Sequence, residues 1–186
     1  MNINFNTLEG RYFAKDTRQH FIKWVEQYPK REKELWQIAR TDSSPKNWRA
    51  AWVLDYLIEK DPKNLLPYLP LFSKLIIHCK DESRARCFAR ITHNFIFFIY
   101  QKKNISIKST LKLVHLNCIK DACFLWLIEN KKVATEVHAM RTLAILSADF
   151  PEISENLLAI LEQHYVVKSA GYKASARIVK AQLSLS

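Results

Sequence analysis

Trp48, Trp52, Asp55 and Glu59 fall at i, i+4, i+7 and i+11, the spacing of one helix face. Ala50, Val53, Leu54, Leu57 and Ile58 take the opposite face, so the tryptophans lie away from the aliphatic stripe. Two tryptophans do not belong on a solvated face. Either the helix is buried on both sides, or the rings anchor a partner, since tryptophan favours interface centres. Trp48, Trp52 and Asp55 are a candidate aromatic binding patch on this basis, with packing the more economical explanation.

Basic residues supply a second candidate. Arg86, Arg90, His93, Phe97 and Tyr100 recur on one helix face; Lys108, Lys112 and His115 align on the next helix; Lys173, Arg177 and Lys180 align on the last. From Ser83 to Lys120 there are eight Lys or Arg and no Asp or Glu, and after Glu162 four more with no acid. The formal net charge is +11. Such rows are what phosphate binding requires, because each contact releases counterions, and the aromatics are placed to stack unpaired bases. A solvated surface is the competing explanation, weakened by the missing acids. The charge favours an acidic partner: nucleic acid, an anionic surface or an acidic protein.

These residues must be carried by helices. Only Gly10 and Gly171 are glycine, too few for hairpins and bulges. Ser44-Pro45 and Asp61-Pro62 read as N-cap followed by proline at the first helical position, and Pro151 starts another helix with Asp149 as its cap. The pattern predicts nine helices, over about 15–28, 31–40, 45–60, 63–78, 82–101, 108–129, 133–148, 152–164 and 170–183. Short polar links make successive helices antiparallel. Phe88, Ile91, Phe95 and Phe98 give the fifth helix its core face. The sixth is apolar nearly all round, which places it centrally. Residues 1–14 read as a flexible N-terminal segment, and 15–186 as one domain. No sheet is expected.

Trp48–Phe72 can be laid on Val137–Leu161 at an offset of 89 residues, matching Leu54 with Leu143, Leu57 with Leu146 and Pro62 with Pro151. That offset is about two units of the HEAT or armadillo length class. The segment RAAWVLDYLIEKDPKNLLPYLPLF resembles a HEAT repeat. The pieces KVATEVHAMRTLAIL and KSAGYKASARIVK resemble those of small, uncharacterised bacterial HEAT-like proteins. The resemblance runs from Pro45 to the C-terminus. It implies an all-α, HEAT-like α-α superhelix of about four to five helix pairs, and no established activity. Some such proteins carry the label adenylosuccinate lyase. Ser43-Ser44-Pro45-Lys46-Asn47 is the nearest approach to that superfamily's Ser-rich loop; it lacks the Met and has the wrong spacing. The fold also resembles HEAT-like DNA alkylation-repair glycosylases, which place aromatics and a catalytic Asp on the concave face. Trp48, Trp52 and Asp55 imitate that arrangement with a spacing that does not match.

Other chemistry is missing from the pattern. No P-loop, dinucleotide fingerprint, HExxH or acyl-transfer elbow occurs, so no cofactor and no catalytic residue is assigned. His115 and Cys118 share a helix face as metal ligands do, but zinc wants four ligands and only two are visible. No metal site is assigned. Cys79, Cys87, Cys118 and Cys123 form no CxxC pair and read as reduced core thiols. Met1–Gly10 lacks the pattern of a signal peptide, and the most lipid-like stretch, Phe95–Tyr100, is too short to span a bilayer. A cytoplasmic location without membrane contact is expected. The expected role is a non-enzymatic binding module, first for a protein partner, alternatively for nucleic acid through the basic face.

Overall fold

A computed structural model describes residues 4–9, 15–41, 46–102 and 104–184. All regular structure among them is helical: α1 (Lys15–Glu26), α2 (Pro29–Arg40), α3 (Asn47–Lys60), α4 (Leu69–Ile77), α5 (Glu82–Tyr100), α6 (Ile105–Lys108), α7 (Leu113–Ile128), α8 (Val133–Leu146), α9 (Glu152–Tyr165) and α10 (Ala170–Leu183). Short 3-10 stretches occupy Phe5–Glu9 and Pro62–Tyr68. The expected Ser44-Pro45 start lies outside the described residues. No helix among those described is long and apolar enough to cross a membrane.

Local chemistry fixes the ends. Asp81 caps α5 by accepting from the Arg84 N–H at 2.8 Å, and Glu82 places a negative charge in its first turn. Ser169 caps α10 by accepting from the Tyr172 N–H. Two expected helices are interrupted. Residues 63–78 are not one helix, because Pro67 lacks an N–H and crowds the preceding turn. The chain winds as a 3-10 stretch to Tyr68 and resumes as α4 with Pro70 in its first turn. Residues 108–129 are split too. The Ser109 and Thr110 hydroxyls donate to the carbonyls of Ser106 and Ile107 at 3.0 and 2.7 Å. These bonds satisfy the end of α6 locally, and Lys112 is extended before α7 begins. Asp149 does not cap α9; it accepts from the Tyr100 hydroxyl at 2.6 Å and the Lys108 ammonium at 2.9 Å.

The helices form two rows. In the first, α3 packs on α5, α5 on α8, and α8 on α10. In the second, α2 backs α3, and α4 packs on α7, which also meets α8 and α9. Aromatic contacts run within and between the rows: Trp36 on α2 meets Phe72 on α4 at 5.8 Å, and Phe72 meets Phe88 on α5 at 5.7 Å. One apolar core runs from Leu8 to Leu183. Each buried Leu or Phe in it contributes about 1.5–3 kcal/mol of transfer free energy. The 89-residue repeat maps α3 onto α8, and Pro62 and Pro151 each open the next helical segment.

The central helix is α8, not the one containing Leu116 and Trp126. α8 touches α5, α7, α9 and α10 and buries even Glu136, Thr135 and Thr142. α7 lies in the second row and leaves Leu113, Val114 and Ile128 on the surface. Its apolar composition exceeds what its neighbours cover.

Candidate functional site

In the first row α3, α5, α8 and α10 pack in succession, and their side chains line the hollows described below. Asp55 on α3 is 3% exposed. Arg90 on α5 donates from Nε to its Oδ1 at 2.9 Å and from Nη2 to Glu59 Oε2 at 2.6 Å. Burial pushes the Asp55 carboxyl up to about 7, against the pull of Arg90. The tryptophans flanking it are half-buried, with ring centroids 6.3 Å apart and nearly parallel. The Arg18 guanidinium lies 4.4 Å over Trp52 and 4.2 Å over Tyr56, and Arg49 lies 4.9 Å over Trp48. The face of α3 is thus a seam, with α1 on one side and α5 on the other.

Among the hollows that open on this row, one is lined by His138 and another by His93. The smaller, about 260 Å³, is lined by Trp52, Asp55, Arg86, Cys87, Arg90, Ala134 and His138. Ala134 contributes only a methyl group to its wall. The Cys87 thiol is pushed up to about 12 by burial and the nearby Asp55 carboxylate, which makes it a poor nucleophile.

The larger hollow, about 520 Å³, lies between α5, α8 and α10. His93, Phe97 and Gln101 come from α5, Arg141 and Ile145 from α8, and Ile178, Val179 and Gln182 from α10. Among the described residues no Asp or Glu lines it. Arg141 is half-buried, and its one described hydrogen bond is a long 3.4 Å contact with Ser175 Oγ. Phe97 and Ile178 are 43% and 59% exposed, so the walls offer apolar surface to whatever enters.

His93 and His138 separate the hollows, with ring centroids 5.6 Å apart. In each ring Nδ1 is buried without a hydrogen-bond partner. Both imidazoles are held down at about 4: His93 by burial and then Arg141, His138 by burial, His93, Arg141 and Arg90. Both rings are therefore neutral at physiological pH.

The basic rows do not merge into one surface. Arg90 is neutralised by Asp55 and Glu59. Lys108 pairs with Asp149 at 2.9 Å, Lys180 with Glu162 at 3.5 Å, and Lys173 sits over Tyr165 while donating to the Val166 carbonyl. Arg86, Lys112 and Arg177 remain exposed. Lys108, Lys112 and His115 do not align on one helix, because α6 and α7 are separate; His115 meets Ser73 Oγ at 3.2 Å instead. Lys108 lies beside Tyr100, at the far end of α5 from Arg86, about 21 Å away at the helical rise. Lys173 and Lys180 face Tyr165 of α9. No group of three His, Cys, Asp or Glu among the described residues could hold a metal ion.

Arg86, Arg90, His93, Trp52 and Asp55 do meet at the hollows, while the sequence reading missed Arg141, His138 and Ile178. The available signal was a His and an Arg at i and i+3 on α8, an otherwise apolar stretch. No family model, curated protein or solved structure matches the chain.

Proposed function

We propose that the protein is a HEAT-like α-α superhelix of about four to five helix pairs that serves as a non-enzymatic module binding another protein. Support for the fold comes from the two helix rows, the pairing of α2 with α3 and α7 with α8, and the repeat relating α3 to α8. Stacked helix pairs of this kind present extended recognition surfaces. The observation that carries the function is the larger hollow. It combines a half-buried, unneutralised Arg141 with exposed Phe97 and Ile178, and an aromatic beside an arginine in a concave patch is the composition of an interface centre.

Nucleic acid is the weaker reading. Four of the cations that would contact phosphate, Arg90, Lys108, Lys173 and Lys180, are already engaged within the chain. A glycosylase-like role is weaker still, since Asp55 is buried under Arg90 rather than open to a substrate. Three buried thiols with no disulfide fit a reducing compartment, consistent with a cytoplasmic protein.

Fluorescence anisotropy with labelled single- and double-stranded DNA and RNA at about 50 mM salt, beside a panel of labelled peptides, tests the choice. Peptide binding that outlasts added salt is expected. Tight, steeply salt-dependent nucleic-acid binding without peptide binding would reverse it.

A further inference from the structure

We propose that the hollow between α5, α8 and α10 binds the free C-terminal carboxylate of a partner polypeptide whose last residue is apolar. The proposal rests on the protein-binding reading above and names what that partner offers.

Charge is the first argument. Arg90 and Arg141 are both half-buried on the same row. Arg90 has two carboxylates of its own chain, whereas Arg141 has one long contact with a neutral hydroxyl. A partly desolvated guanidinium without a counter-charge is unfavourable, and its planar fork matches a carboxylate's two oxygens. No acid among the described residues lines the hollow, so the counter-charge comes with the ligand.

His93 supplies the second argument. A neutral imidazole carries one proton. Placing it on Nδ1 strands a donor where no acceptor is found, and buried orphan N–H groups are rarer than under-satisfied acceptors. The favoured tautomer carries it on Nε2 and so gives a neutral N–H donor on a ring that lines the same hollow as Arg141. The charged and titratable groups near the His93–His138 pair are Asp55 from α3, Arg86, Cys87 and Arg90 from α5, and Arg141 from α8; Asp55 is already committed to Arg90.

The walls identify the carrier. Phe97, Ile145, Ile178 and Val179 line the same hollow as the cation. An acidic side chain on a polar segment would leave them unfilled. A C-terminal Leu, Ile, Val or Phe brings a carboxylate and an apolar group on one residue. A volume of about 520 Å³ lies within the roughly 300–1,000 Å³ of ligand pockets.

The test uses the full chain on random peptides immobilised by their N-termini and made in two forms, free carboxyl and amidated. Binding is expected on the free form, with terminal Leu, Ile, Val or Phe enriched, and weaker by about tenfold or more after amidation, as loss of a charged hydrogen-bonded contact implies. Arg141→Met is expected to lose the same factor without loss of thermal stability, and Lys33→Gln to bind within about twofold of the natural chain, because Lys33 is exposed on α2 and lines neither hollow. Equal binding to both forms overturns the carboxylate and leaves the protein-binding reading standing. No binding to either form overturns both. Octanoate bound where peptides are not assigns the hollow to a small acid and overturns the proposal. The amidation arm needs no variant, so a misfolded Arg141→Met does not decide the result.

Discussion

The two hollows of the first helix row use arginine in opposite ways. In the smaller, Arg90 bridges Asp55 and Glu59 and ties α5 to α3. In the larger, Arg141 projects from α8 into a hollow that no Asp or Glu among the described residues lines. Both side chains are half-buried, so burial does not separate them. The difference lies in the local balance of charge. A balanced pair is an internal fastener, whereas an unbalanced cation in a concave apolar patch is an attractant for something outside the chain.

Arg90→Met should break that comparison most severely. It leaves Asp55 buried without its cation, a change that costs about 3–5 kcal/mol for a buried pair. A urea melt at pH 8 is the measurement. The Asp55 carboxyl already stands near 7 in the fold and near 3.9 in an unfolded chain. A group raised in this way loses stabilising effect as pH rises through that window. The variant should therefore be less impaired at pH 5, where Asp55 is neutral.

Trp48→Ala comes next. A fully buried tryptophan would cost about 3–5 kcal/mol. Trp48 is half-buried and stacked on Trp52, so about 1–2 kcal/mol is expected by urea melt. A larger loss would extend the structural character of the smaller hollow to the whole α3 face. A negligible loss, with peptide binding impaired, would move Trp48 to the binding side of the comparison.

The histidines dividing the hollows should give a smaller effect of the opposite sign in pH. Their folded values near 4 lie below the roughly 6.5 of an unfolded chain. Their contribution is complete above about 6.5 and lost as pH falls toward 4. Asp55 offsets part of this, gaining over the same range. A His93→Gln, His138→Gln double variant should show a flatter fall in melting temperature between pH 6.5 and 4.5 than the natural chain. An unchanged slope would mean that the rings are already solvated.

The helices were legible because the 3.6-residue period and the cap signals are local: Asp61 accepts from the Lys63 N–H where Asp61-Pro62 pointed to a start. Trp52, Asp55, Arg86, Arg90 and His93 were also legible as unusual faces. Their grouping was not. The acid-free run from Ser83 to Lys120 suggested a bare cationic surface, yet its counter-charges arrive from elsewhere: Asp55 and Glu59 from α3, Asp149 from before α9, Glu152 for Lys120. A charge row read on one helix cannot reveal acids packed against it from another. Arg141 escaped for the mirror-image reason, since its isolation depends on what α5 and α10 fail to bring.

The smallest expected change in stability carries the most weight. Arg141→Met removes a poorly compensated cation and should leave stability within about 0.5 kcal/mol, or raise it. The direct test is a titration of this variant with the free-carboxylate peptide that binds the natural chain best, with a urea melt of the same preparation. The account predicts affinity lower by about tenfold or more and a midpoint that does not fall. Undiminished affinity, or a midpoint that falls as it does for Arg90→Met, would contradict it.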